Sequence, residues 1–140
     1  NSTGYATAWV HSDAATTAGL IFETQNYSRS EADVAPQQGT WDYKGSRLWV
    51  NGEAIAPPRW QNAVGQRNID LPLANENAAS RPPLQIQLQK GWNQLLIKLP
   101  IGRFTLPEIR LNKWMFAAAI TTPDGSKALP NLQYAKPSLK

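Results

Sequence analysis

Cysteine is absent from the 140 residues. Neither a disulfide framework nor a thiolate metal site can therefore be built. That absence does not fix a compartment, since exported and cytosolic proteins can both do without disulfides. Histidine is nearly absent too: His11 is the only one. A Ser-His-Asp arrangement would have to be built on it. Its place in the middle of an alternating run beside Trp9 suits a surface or half-buried histidine instead. Runs of basic residues are missing. The net charge is +4, but the fourteen Lys and Arg are scattered singly, which gives nucleic-acid binding little support. No apolar stretch approaches a membrane span. Asn1-Ser2-Thr3-Gly4 lacks the charged and apolar regions of a signal peptide and reads as a mature or cut-out start. Glycine-rich phosphate loops and His-x-His or Glu-x-x-His spacings are absent. Glu31, Asp33 and Asp42 could gather around calcium, but a solvated polar loop is the simpler reading. No carboxylate pair carries a glycosidase motif. No metal, cofactor or catalytic residue is expected.

What the chain has is turns and indoles. Eleven Pro, nine Gly and six Trp stand in one domain-sized chain. Many breakers between short aromatic-rich runs suit β-structure better than helix. A domain of this size buries roughly 68–70% of its unfolded surface, enough for a core without covalent staples.

Alternation with period two locates the strands. Tyr5 to Ser12 puts Ala6, Ala8 and Val10 on one face and Tyr5, Thr7, Trp9 and His11 on the other. Thr17 to Tyr27 alternates Leu20, Phe22 and Thr24 with Ile21, Glu23 and Gln25. Ser28 to Gly39 is a long polar loop. Ser46 to Val50 is a strand, and Asn51-Gly52 is the strongest short hairpin signal because both residues tolerate positive φ. Glu53 to Ala56 pairs back until Pro57-Pro58 ends it. Arg59 to Pro83 is irregular, with one short strand expected at Asn68 to Leu71. Leu84 to Gln89 points Leu84, Ile86 and Leu88 inward. Trp92 to Leu99 follows as a central strand. Leu111 to Thr122 contains three consecutive alanines that favour helix, but β-branched residues at its end and the alternation of Trp114, Phe116, Ala118 and Ile120 favour strand. The tail from Ser126 is expected to be extended and only partly packed. The pattern predicts an all-β, antiparallel two-sheet sandwich of the jelly-roll type. It forms one domain over 1–140, with its core at about 5–125 and its tail at 126–140.

The remaining chemistry is aromatic. A sugar ring has an apolar C–H face that stacks on Trp or Tyr, and hydroxyls that pair with polar side chains. Trp41 and Tyr43 flank Asp42 at the end of the long loop, and Trp60 follows two prolines. Arg29 lies in the same long loop, where it either recognises a ligand or braces the loop against Asp33 or Asp42. Trp41, Tyr43, Trp60, Arg29 and Asp42 are the candidate carbohydrate-binding residues. The same aromatics equally suit lids over the core or an interface to a neighbouring domain. Trp9, Trp49, Trp92 and Trp114 are expected in the core or on sheet faces.

Two segments, SRLWVNGEAI and LQKGWNQLLIKLP, resemble the paired segments of galactose-binding-like jelly rolls. Together with NYSRSEADVAP, WDYKGSRLWVNGEAIAPPRW, KGWNQLLIKLPIGRF and KWMFAAAITTPDG, they look like the C-terminal region of bacterial β-N-acetylhexosaminidases of glycoside hydrolase family twenty. The resemblance covers about Tyr5 to Gly125. Catalysis in that family rests on an adjacent Asp-Glu pair in a (β/α) barrel. This chain has no such pair, and a barrel needs about 250 residues. The resemblance therefore implies a non-catalytic accessory domain beside the catalytic domain of a parent polypeptide. Expected partners are that domain and N-acetylhexosamine-containing glycans, with no nucleic acid and no membrane span. The expected location is bacterial and periplasmic, cell-surface or secreted. A purely structural module without sugar affinity is the alternative.

Overall fold

A computed structural model describes residues 2–25, 35–66, 82–101 and 115–135. Among these residues there is no helix, and eight strands form two antiparallel sheets. The strands are β1 (Ser2–Ser12), β2 (Thr16–Gln25), β3 (Arg47–Val50), β4 (Glu53–Ala54), β5 (Leu84–Leu88), β6 (Gly91–Ile101), β7 (Met115–Thr121) and β8 (Leu132–Ala135). One sheet runs β4-β3-β6-β1-β8 and the other β5-β2-β7. This is the two-sheet sandwich that the alternating pattern predicts. The stretch expected at Asn68 to Leu71 lies outside the described residues.

The long pair β1 and β6 forms the backbone of the larger sheet, aligned from Ser2 opposite Ile101 to Ser12 opposite Gly91. Each apolar face is dealt by alternation. Val10, Leu48, Val50, Leu95 and Ile97 come from the larger sheet, and Ala18, Leu20, Phe22, Ile86, Leu88 and Ile120 from the smaller. Burying a side chain of this kind stabilises by about 1.5–3 kcal/mol, so the two inner faces hold the sheets together.

The stretch with three alanines is a strand. Ala117, Ala118 and Ala119 stand opposite Glu23, Phe22 and Ile21 of β2. Ladder pairing with β2, together with the burial of Ile120 beside them, outweighs local helix propensity here. Within the tail, expected to be extended and partly packed, one segment is a strand and its Tyr134 is largely exposed. Leu132–Ala135 pairs with Trp9 to Ser12 of β1 and so completes the five-stranded sheet. Asn131 makes the entry to this strand with a φ of 63°, a conformation asparagine tolerates.

Side-chain amides join two turn motifs. Asn51 and Gly52 both have positive φ, 51° and 81°, as a tight hairpin between β3 and β4 requires. Across the sheet, Asn93 is fully buried. Its Oδ1 accepts from the Asn51 side-chain amide at 2.8 Å and from the Gln89 backbone N–H at 2.9 Å. Its Nδ2 donates to the carbonyls of Gln89 at 3.0 Å, Gly91 at 3.1 Å and, more weakly, Val10 at 3.4 Å. The Asn51 Oδ1 in turn accepts from the Gln94 N–H at 2.9 Å. One buried amide thus joins the β3–β4 hairpin, the β5–β6 turn and β1.

A second polar turn connects β7 to β8. Asp124 accepts from the Thr122 hydroxyl at 2.6 Å, and from the Ser126 hydroxyl at 2.8 Å and backbone N–H at 3.0 Å. These bonds favour the carboxylate, the Thr122 hydroxyl most of all, and hold the Asp124 pKa at about 2.

Asn93→Ala is expected to cost about 2–3 kcal/mol in urea unfolding, because it strands buried backbone partners. Combined with Asn51→Ala, the loss should fall short of the sum of the two single variants, because they share a bond. The Asp124 turn is expected to stay intact above the ordinary carboxylate range near pH 3.8 and to loosen as the pH falls through about 2. Amide chemical shifts of Gly125 and Ser126 followed through an acid titration check this.

Candidate functional site

Residues 35–40, after β2, and 60–66, after β4, are joined by hydrogen bonds. The Ala35 N–H donates to Gln66 O at 2.6 Å, and the Gly65 N–H donates to Ala35 O at 2.9 Å. Gln38 clamps the second loop as a strand neighbour would: its Nε2 donates to Trp60 O at 2.7 Å and its Oε1 accepts from Trp60 N–H at 3.0 Å. The Trp60 indole N–H donates to Thr40 O at 2.9 Å. Pro57-Pro58 ends pairing with β3 and releases the chain into this loop.

Between the loops lies an open depression of about 460 Å³, lined by Gln38, Arg59, Trp60, Gln61, Asn62 and Ala63. Trp60 is only 4% exposed and braces the floor from below. Arg59 forms no ion pair among the described residues. Guanidinium and amide groups around a shallow floor can bond the hydroxyl and carbonyl oxygens of a neutral polar ligand. No carboxylate and no histidine lines the depression among the described residues.

The five residues singled out from sequence separate here. Trp60 lines the depression, but its ring is covered. Trp41 is 7% exposed and packs on Phe22, with ring centroids 5.0 Å apart. It belongs to the core, and no free face remains for a sugar. Asp42 is a brace. Its Oδ2 accepts from the Thr24 hydroxyl at 2.6 Å, and its Oδ1 from the Lys44 and Ser46 N–H groups at 2.8 and 3.2 Å. Tyr43 is 56% exposed, and its hydroxyl donates to Ala35 O at 2.6 Å. It stands outside the depression with its ring accessible. Arg29 lies outside the described residues, as do Glu31 and Asp33.

Trp41 turns inward because Asp42 fixes the loop against Thr24 of β2, which points the preceding side chain at Phe22. Sequence reading missed Gln38, Arg59, Gln61 and Asn62. The signal was present in the polar run around Trp60 directly after two prolines, where the strand must end and its neighbours must face solvent.

His11 makes an edge-on ring contact with Trp92 at 5.2 Å, and its Nδ1 lies 3.8 Å from Asp13. Neither residue lines the depression. No three His, Asp or Glu side chains among the described residues are grouped to hold a metal ion. No described helix is long and apolar enough to cross a membrane.

No family model matches the chain, and no solved structure does. Among curated proteins it is similar to a glycogen debranching enzyme of Dickeya chrysanthemi, 30% identical over 125 residues. The match takes in 85% of this chain and 16% of that protein, so the chain spans only a small part of its relative.

Asp42→Ala is expected to destabilise the fold by about 1–3 kcal/mol through three lost bonds, whereas Tyr43→Phe should cost about 1 kcal/mol. Thermal unfolding of both variants, followed by tryptophan fluorescence, checks the order.

Proposed function

We propose that the chain is a non-catalytic accessory β-sandwich of a glycoside hydrolase, which supports the catalytic domain and contacts glycan at these loops. The carrying observation is the likeness to a carbohydrate enzyme over most of this chain but a small fraction of that enzyme. A module appended to a larger hydrolase accounts for that proportion. The four-segment resemblance supports a parent of the β-N-acetylhexosaminidase type, and we place it in a bacterial periplasmic, cell-surface or secreted setting. Arg59 in the depression is the group that would bond an N-acetylhexosamine, with Gln61 and Asn62 lining the same floor, and the exposed Tyr43 ring outside the depression offers a separate contact. Trp41 and Asp42 act only by shaping the loop.

Burial of Trp41 and Trp60 favours a second reading: a structural module whose loops pack on a neighbouring domain. Titration with N-acetylglucosamine oligomers and with malto-oligosaccharides, followed by tryptophan fluorescence, separates the two. Weak millimolar binding, preferring the N-acetylated sugar and weakened several-fold by Arg59→Ala, is expected. A preference for malto-oligosaccharides would replace the hexosaminidase assignment with a debranching one. No response to either at millimolar concentration would favour the structural module.

A further inference from the structure

The outward face of the five-stranded sheet is a separate feature from the loop depression. Because Ala6 and Val10 of β1 face the core, alternation turns Tyr5, Thr7, Trp9 and His11 outward. By the same rule Trp92, Gln94, Leu96 and Lys98 of β6 face outward, with Arg47 and Trp49 of β3. The register sets these side chains in rows. Trp9 stands opposite Gln94, Thr7 opposite Leu96 and Leu96 opposite Trp49. In the next row Lys98 stands opposite Tyr5 on one side and Arg47 on the other.

That last row is electrostatically unfavourable by itself. Like charges directly opposite on neighbouring strands repel. Among the described residues neither Arg47 nor Lys98 forms an ion pair. The carboxylate of Asp13 lies beside His11, at the opposite end of the face. Tyr5 next to Lys98 is 64% exposed. Trp49 follows Arg47 two positions along β3, so a ring and two cations share one patch.

We propose that this patch binds an acidic oligosaccharide. Its anionic group sits between Arg47 and Lys98, and a pyranose ring lies against Trp49 or Tyr5. The cation pair calls for an anion, because a negative group between the two turns the repulsion in that row into two attractions. The arrangement favours a saccharide over an acidic protein surface. The rings alternate with the polar Thr7 and Gln94, whose side chains bond each other at 3.2 Å and leave the Gln94 Oε1 to accept from a hydroxyl, whereas a protein contact is centred on a continuous apolar patch. A second copy of this chain, with its net positive charge, is a poor complement.

Calorimetric titration of the whole chain tests the assignment, with galacturonate hexasaccharide, heparin-derived hexasaccharide, maltohexaose and poly-L-glutamate as probes. At low salt, at least one anionic saccharide should bind about tenfold or more tightly than maltohexaose, a difference of about 1.4 kcal/mol. Galacturonate alone would identify carboxylated sugars as the source, and heparin alone sulfated ones. The surface double variant Arg47→Gln/Lys98→Gln should lose about tenfold in affinity. Lys90→Gln/Lys127→Gln removes the same charge elsewhere and should change it less than about twofold. Circular dichroism of both variants confirms the fold. Equal losses in the two double variants would overturn the proposal by exposing nonspecific charge attraction. So would tighter binding of poly-L-glutamate, which points to an acidic protein, or no preference over maltohexaose. The Arg59→Ala variant should bind the anionic sugar normally, so failure here and failure of the glycan contact at the loop depression are read independently.

Discussion

The fully buried Asn93 amide sets the geometry on which the rest of the sandwich is arranged. Apolar faces drive two sheets together but discriminate poorly against a two-residue slip of one strand, which keeps the same face inward. A hydrogen-bonded amide does discriminate, because an unmatched polar group in the core is costly. By joining the Asn51 side chain to the β5–β6 turn and to Val10 of β1, Asn93 fixes where β3 and β1 lie relative to β6. A one-residue slip would turn Leu95 and Ile97 out of the core. Register at this point therefore decides which aromatic residues face solvent on the larger sheet.

Much of the fold was legible in the chain. Alternation, with the Asn51-Gly52 hairpin signal for β4, located seven of the eight strands among the described residues. The eighth, Leu132–Ala135, was not legible because a four-residue segment flanked by Pro130 and Pro137 carries too little periodic pattern. It becomes a strand through pairing with β1, a long-range effect that no local window contains. The alanine run was ambiguous for the opposite reason: local propensity spoke for helix, and only the neighbour β2 decides.

The candidate site was less legible. A loop aromatic beside polar residues has the same sequence signature whether its ring faces out or in. Trp41 and Trp60 are buried because partners distant in sequence hold them, Thr24 through Asp42 in one case and Gln38 with Thr40 in the other. Tyr43 remains outside because its hydroxyl reaches back to Ala35 O and leaves the ring uncovered. The polar groups that line the depression carry no periodicity, and only the two loops meeting in space bring them together.

The pairing of the first strand with the sixth has a consequence for synthesis. Ser12 finds its ladder partner only when Gly91 exists, and Ser2 only when Ile101 does. At ~5–20 residues per second, the N-terminal strand waits for seconds outside the ribosome with Val10 and its neighbours uncovered. Such non-local pairing also slows refolding of the finished chain. Nascent protein would therefore depend on chaperone protection until β6 emerges, and yield on expression should respond to the speed of translation more than to the stability of the finished sandwich.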